Sequence, residues 1–262
     1  MADVAAAAPR TAPSADRIVF VGHATALIEV DGVRLLTDPL LRSRVAHLRR
    51  HAPPVDAAHT ADPRAVLISH LHHDHADVAS LKLLGLQTPL IVPPGAGGWL
   101  GGKGFRSVSE LGVGASVEIA GVSVEAVAAR HDGARVGGPH ADSVGYVVRG
   151  RRSVYFAGDT ELFDAMSALP GDLDAALLPI GGWGPTLGPG HMDPLDAARA
   201  AALIRPRVAI PVHWGTLLPI GALARHRAAL ADPARRFSEH VRELAPDVEV
   251  RILRPGEATE LE

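Results

Sequence analysis

Short apolar runs recur along the chain, each broken by glycine, proline or charged residues. Arg17 to Thr37 alternates as paired strands, and Val30-Asp31-Gly32-Val33 carries the Asp-Gly signal of a tight hairpin. Ala65-Val66-Leu67-Ile68 reads as a buried strand, and Val78 to Leu84 as a helix closed by Gly85. Ser116 to Ala129 predicts a hairpin turning at Ala120-Gly121, and Ser143–Val148 pairs with Ser153–Phe156 across Arg149 to Arg152. Ala175 to Ile180 and Val208 to Val212 are further strands. Glu161 to Leu169 reads as a helix ended by Pro170-Gly171. A second helix runs to Ile204, capped by Asp193 with Pro194 at its first position. Helices are expected near residues 221–230 and 234–244, and a last strand from Asp247 to Leu253. Runs of strands interrupted by helices, with a similar second half, predict two β-sheets packed together and covered by helices on both outer faces.

Two stretches break the pattern. Leu40 to Asp62 has little periodicity, and a loop that long is either functional or disordered. It holds Arg42, Arg44, Arg49 and Arg50. They read either as a flap whose arginines hold an anionic substrate or as a solvated basic surface. Gly97 to Gly104 nearly spells a phosphate-binding loop, but glycine stands where a Ser or Thr must follow Lys103. A glycine-rich turn or helix start is expected there, not a nucleotide site.

Composition bounds the function. The chain has 262 residues, enough for one large domain or two small ones, and 47% of them are apolar, enough for a sizeable core. The net charge of −3 offers no bulk attraction for nucleic acid or a membrane surface. Without cysteine, every protein ligand to a metal must be nitrogen or oxygen. No apolar stretch is long enough to predict a membrane span. Residues 1–16 are rich in Ala and Pro and read as a disordered tail, with the cytoplasm as default location.

The chemistry concentrates in Ser69-His70-Leu71-His72-His73-Asp74-His75-Ala76-Asp77, on the turn between a strand and a helix. Imidazole and carboxylate are natural ligands for zinc, manganese or iron(II). Alternate residues on an extended segment point the same way, so His70 and His72 can share one ion while Asp74 and His75 reach a second. Each set is incomplete. Candidate partners end three later apolar runs: His131, Asp159 and His213.

This motif, with His131, Asp159 and His213 following in order, resembles the metallo-β-lactamase superfamily. Val21-Gly22-His23-Ala24-Thr25, Leu36-Thr37-Asp38-Pro39, Ala129-Arg130-His131, Phe156 to Thr160, Pro179 to Gly182 and His213-Trp214-Gly215-Thr216 resemble one branch of it. That branch holds N-acyl-phosphatidylethanolamine phospholipase D and L-ascorbate-6-phosphate lactonase. The resemblance spans roughly residues 17–255 and implies a four-layer αββα sandwich. Residues 17–262 then form a single hydrolase domain. It further implies that His70, His72 and His131 bind one ion, that Asp74, His75 and His213 bind the other, and that Asp159 bridges them. Two divalent cations roughly 3.5–4 Å apart would lower the pKa of a shared water and yield a hydroxide that attacks phosphorus or carbonyl carbon. Zinc is the first expectation for the ions and manganese the second.

Outside the ligands, His191 precedes Asp193-Pro194 in a Gly/Pro-rich loop, and the branch has a histidine close to substrate there. It is the candidate for leaving-group protonation or oxyanion stabilisation. His23 reads as a structural histidine bonding a loop, Asp38 as an orienting group, Ser69 as loop support, and Asp77 as a group orienting a ligand. His73 is expected to point away from the metals. Arg135 and His140 lie in a loop, 132–142, that could border the pocket. The expected activity is hydrolysis of a phosphodiester, lactone or similar small anionic ester. Alternatives are a nuclease, which lacks a dedicated basic or aromatic binding region, and a non-catalytic metal-binding member. The partner is a small anionic molecule, with no nucleic acid and no membrane anchor expected. The oligomeric state is not legible.

Overall fold

The computed structural model describes residues 15–169, 172–184 and 187–262. The tail expected at 1–16 lies outside this range up to residue 14, as do Pro170-Gly171 and Pro185-Thr186. Asp16 belongs to the fold. It is buried and its carboxylate accepts from the Asp31 N–H and from Arg151.

Two seven-stranded sheets make the body. The first sheet is built from β1 (Arg17–Gly22), β2 (Thr25–Val30), β3 (Val33–Thr37), β6 (Ala65–Leu67), β7 (Leu90–Val92), β8 (Val108–Glu110) and the late β17 (Ala258–Glu260). The second holds β9 (Ser116–Ile119), β10 (Val122–Ala128), β11 (Val144–Arg149), β12 (Ser153–Phe156), β13 (Ala175–Pro179), β14 (Val208–Val212) and β16 (Glu249–Val250). Between them lies a core of Ile18, Phe20, Ile28, Val124, Tyr146, Phe156, Leu177 and Ile210, among others. On the outer face of the first sheet sit α1 (Val78–Leu84) and α2 (Gly97–Gly102), packed through Leu81 and Leu100. On the outer face of the second sit α3 (Pro194–Ile204) and α5 (Asp232–Leu244), packed through Ala197, Ala201, Phe237 and Val241. This is the expected αββα sandwich. Each sheet is apolar on both faces because each is covered on both sides.

Local chemistry accounts for the boundaries. Asp77 accepts from the Ser80 N–H to start α1, and Asp193 accepts from the Leu195 and Asp196 N–H groups to start α3. The helix expected over 161–169 is instead a short 3₁₀ segment, Asp164–Ala168, and the one expected over 221–230 shrinks to α4, Leu223–His226, followed by a 3₁₀ turn. The expected final strand over 247–253 reduces to the two residues of β16, and the chain continues back to pair β17 with β1.

The irregular stretch after Leu40 is not structureless. It forms a small sheet from β4 (Arg44–Val45), β5 (Leu48–Arg50) and the distant β15 (Leu217–Pro219). A cluster of its own, Leu40, Val45, Leu48 and Leu217, holds it. Pairing to a strand some 170 residues away in sequence left no local periodicity to read.

Candidate metal centre

Every candidate ligand lies just beyond the C-terminal end of a strand. His70 follows β6, His131 follows β10, Asp159 follows β12, and His213 follows β14 directly. Strands β12, β13 and β14 run parallel, so their C-terminal ends share one edge of the second sheet. Hydrogen bonds tie the sheets at that edge. The Tyr146 hydroxyl donates to the Ile68 carbonyl at 2.8 Å, and the Val144 N–H donates to the Ser69 carbonyl at 3.0 Å. Gly158, at φ +63°, lets the Asp159 turn approach the histidine loop, because a Cβ there would sit 2.5 Å from Ser69 Cβ.

The seven expected ligands come together in two groups around one carboxylate. His72 Nδ1 lies 3.0 Å from His70 Nε2 and 3.0 Å from His131 Nε2. His75 Nε2 and His213 Nε2 lie 3.1 Å apart, with Asp74 Oδ2 at 3.8 and 3.7 Å from them. Asp159 Oδ2 reaches both groups, at 3.1 Å from His75, 3.3 Å from His213 and 3.9 Å from His70. His191 Nε2 joins at 3.3 Å from the same oxygen, and its ring stacks edge-on against His131.

Hydrogen bonds at the outer nitrogens orient the imidazoles toward the centre. His213 Nδ1–H donates to the Gly181 carbonyl at 2.7 Å, and His131 Nδ1–H to the Gly190 carbonyl at 2.8 Å. Gly190 sits at φ +76°, and a Cβ there would press on His131 Nδ1. His75 Nδ1–H donates to Asp38 Oδ2 at 2.7 Å. His70 Nδ1–H donates to Ser69 Oγ at 2.9 Å, whose own hydroxyl donates to Asp38 Oδ2 at 2.6 Å. Asp38 therefore orients one histidine of each group, directly and through Ser69. The Ser69 N–H closes the arrangement by donating to Asp38 Oδ1 at 2.8 Å. His72 alone turns Nδ1 inward.

Two observations test the fit to metal ions. The inner nitrogens of His70, His72 and His131 converge, with His72 Nδ1 3.0 Å from each of the other two, an arrangement suited to a shared cation. Among the described residues Asp159 Oδ1 is buried without a hydrogen-bond partner, which is costly for a carboxylate unless a cation lies near. The donor set is nitrogen and oxygen only, as zinc or manganese accepts.

The electrostatics agree. Burial would raise the Asp159 carboxyl, but the charges of His213 and His75 and hydrogen bonds from His191 and His75 hold it well below the usual range. Burial would lower His75, yet Asp159, Asp74 and Asp38 push it well above an ordinary histidine. Burial holds His131 down at about 4, so its inner nitrogen is a free lone pair at neutral pH. His191 is raised: burial opposes the shift, and the hydrogen bond to Asp159 and its charge outweigh it.

Other expectations sort differently. His23, read as bonding a loop, donates from Nε2 to the Asp74 carboxylate at 2.9 Å and stacks 4.0 Å from His213. It could serve as a further ligand of that group. Only its place after Gly22 hinted at this, since the Asp74 contact spans 51 residues. His23, Asp38 and His213 all hold φ of 33° to 60°, a strain concentrated at the centre. Asp77 orients no ligand: it caps α1 and pairs through both oxygens with Arg42, at 2.8 Å each. His73 stands outside the histidine groups. Of the four flap arginines, Arg42 is spent on Asp77, and buried Arg50 donates to the Val21 and Pro53 carbonyls. Arg44 and Arg49 lie opposite each other across the hairpin, both exposed, with no carboxylate within 4.0 Å among the described residues.

The Beta-lactamase superfamily domain matches residues 33–214. The chain belongs to the metallo-β-lactamase superfamily. A UPF0173 metal-dependent hydrolase from Methanopyrus kandleri is 37% identical over 261 residues, covering 93% of this chain and 99% of that one. The N-acyl-phosphatidylethanolamine-hydrolyzing phospholipase D 1 of Caenorhabditis elegans is 31% identical over 229 residues, covering 77% of this chain and 64% of that one. The structure of Igni18, a metallo hydrolase from Ignicoccus hospitalis, superposes with a TM-score of 0.72 at 24% identity, covering 95% and 99% of the two chains. The superfamily chain is thus a metal-dependent hydrolase, in the branch its N-terminal motifs resemble. Among the described residues, no helix is long and apolar enough to cross a membrane.

Proposed function

We propose that this superfamily member is a dinuclear hydrolase of a phosphodiester, lactone or similar small anionic ester. The observation carrying the reading is that Asp159 Oδ2 stands within 3.9 Å of nitrogens from both histidine groups. His70, His72 and His131 would hold one ion, and Asp74, His75 and His213 the other, with Asp159 shared. Zinc is the first choice and manganese the second. Bound there, two divalent ions would activate a water and polarise the oxygen under attack.

The chain's own residues set the rest. Asp38, Ser69, Gly181 and Gly190 hold the imidazoles in one tautomer, so no side chain needs to reorient when a substrate binds. His191 donates from Nδ1 to the Gly188 and Pro189 carbonyls and aims Nε2 at the centre. Protonated there, it would give that proton to a leaving-group oxygen. Exposed Arg44 and Arg49 are candidates to attract an anionic substrate. The cysteine-free chain suits the cytoplasm, where we place it.

The test is metal analysis of protein purified without a chelating column, with a parallel screen of phosphodiesters and lactones. The phospholipase relative puts phosphodiesters first. Two equivalents of metal, and turnover that chelation abolishes, are expected. A stoichiometry of one would refute the dinuclear reading, and activity surviving full metal removal would refute the role given to the metals.

A further inference from the structure

The loop after His131 carries one side chain that reaches back to the candidate ligand turn from outside the metal centre. Arg135 donates from Nη1 to the Leu71 carbonyl at 2.7 Å and to the Ala76 carbonyl at 3.0 Å. Its Nη2 donates to His73 Nδ1 at 2.9 Å. These acceptors bracket the segment that holds His72, Asp74 and His75. The same guanidinium lies over the Trp99 ring, its Cζ 4.6 Å from the centroid. Trp99 belongs to α2, in the glycine-rich stretch that imitates a phosphate loop. The Arg135 backbone is itself tied into a turn, its N–H donating to the Pro139 carbonyl and its carbonyl accepting from the Gly138 N–H. Half-buried Arg135 faces no carboxylate within 4.0 Å among the described residues, so its donors are spent on this turn.

We propose that Arg135 is a positioning residue: its guanidinium, supported on Trp99, clasps the two ends of the 71–76 turn through Nη1 and its middle through Nη2 on His73, and sets the spacing between the two groups of metal ligands. The turn has only two internal backbone bonds of its own, from the His75 and Ala76 N–H groups to the His72 carbonyl. Without the clasp, the Leu71 and Ala76 carbonyls are free to swing and His72 moves relative to Asp74 and His75. A lysine cannot replace it, because its ammonium ends one bond short of the Nη1 that serves both carbonyls and has no second nitrogen for His73 and no planar group to set over the indole. The clasp also explains why His73 faces away: Arg135 can only donate, so His73 Nδ1 must accept and its ring is held outside.

This inference rests on the reading that the turn holds metal. The test measures affinities for Zn²⁺ and Mn²⁺, each alone, by competition with a chromophoric chelator, on metal-free protein shown by circular dichroism to be folded. R135A, R135K and W99L are compared with the wild-type chain. Losses of about 10–100-fold are expected in R135A and R135K, the range found when a group orienting a metal ligand is removed. Both ions should weaken, because ligands of both groups lie inside the clasped turn. W99L should lose less, and methylguanidinium should restore part of the affinity of R135A but none of W99L. If R135A fails to fold, R135K and W99L decide. Wild-type affinity in folded R135K, or loss confined to one ion, overturns the clasp. Wild-type protein that takes up neither metal overturns the metal-centre reading and the clasp with it, whereas wild-type uptake with unchanged variants overturns the clasp alone.

Discussion

Replacing Asp38 by asparagine should damage the whole centre through one buried side chain. Asp38 is fully buried, and its two oxygens accept from Ser69 N–H, Ser69 Oγ–H and His75 Nδ1–H. Asparagine has the same shape but only one acceptor oxygen. With that oxygen toward the Ser69 N–H, the amide NH₂ faces two donors; flipped, it faces the Ser69 N–H. Either way at least one buried donor loses its partner, at about 1–3 kcal/mol each, and the charge-assisted bond to His75 is lost as well. A total near 2–5 kcal/mol of folding stability is expected, or about 5–15 °C in the melting temperature of a chain this size. The functional effect is separate. His75 and, through Ser69, His70 lose the acceptors that orient their rings toward the centre. Affinity should fall by about 10–100-fold for both ions. Differential scanning calorimetry of the metal-free protein reads the first effect and chelator competition the second. Ser69→Ala separates the paths: it cuts the Asp38–Ser69–His70 link but leaves the direct Asp38–His75 bond, so its loss should centre on the ion held with His72 and His131. D38N with wild-type metal affinity, or S69A weakening both ions equally, would refute the hub.

Further expectations concern the remaining groups. Asp159→Ala should abolish hydrolysis and weaken metal uptake, and wild-type turnover at verified metal occupancy would contradict the shared-carboxylate reading. His191→Ala should keep fold and metal while kcat drops by roughly 10²–10⁴. That loss should shrink for a nitrophenolate leaving group; unchanged kinetics on every substrate would return His191 to a loop role. Adding Zn²⁺ at about 100 times Kd should stabilise the chain by roughly 2.7 kcal/mol, so a melting curve indifferent to metal would argue against a folded-state site. Arg42→Ala should lower stability by less than about 1 kcal/mol, since the guanidinium is well exposed. Burial favours the neutral Asp77, but its bonds from Arg42 and Ser80 outweigh that and hold the carboxyl below its usual range. The difference between wild type and R42A should therefore be full above about pH 4 and vanish as pH falls further, as titration of stability would show.

The sequence by itself determined the elements whose cause is local. Alternating apolar runs, the Asp31-Gly32 hairpin, the Asp77 and Asp193 caps and the spacing of His70, His72, Asp74 and His75 all act within a few residues, so their pattern is visible in the chain. That His131, Asp159 and His213 end apolar runs was visible for the same reason. Long-range pairing decided the rest. β15 completes a sheet with β5, and β17 closes the first sheet from the far end of the chain, through backbone bonds that leave no side-chain signature. Asp38 was legible as an orienting group, but which partners such groups meet was hidden. Asp38 meets His75 across 37 residues, His23 meets Asp74 across 51, and Arg135 meets Leu71 across 64. In each, a polar side chain at a loop or strand end gains its role only when packing buries it against a specific partner. Residue type and spacing advertise a ligand, but which donor faces which acceptor is settled where the two sheets meet.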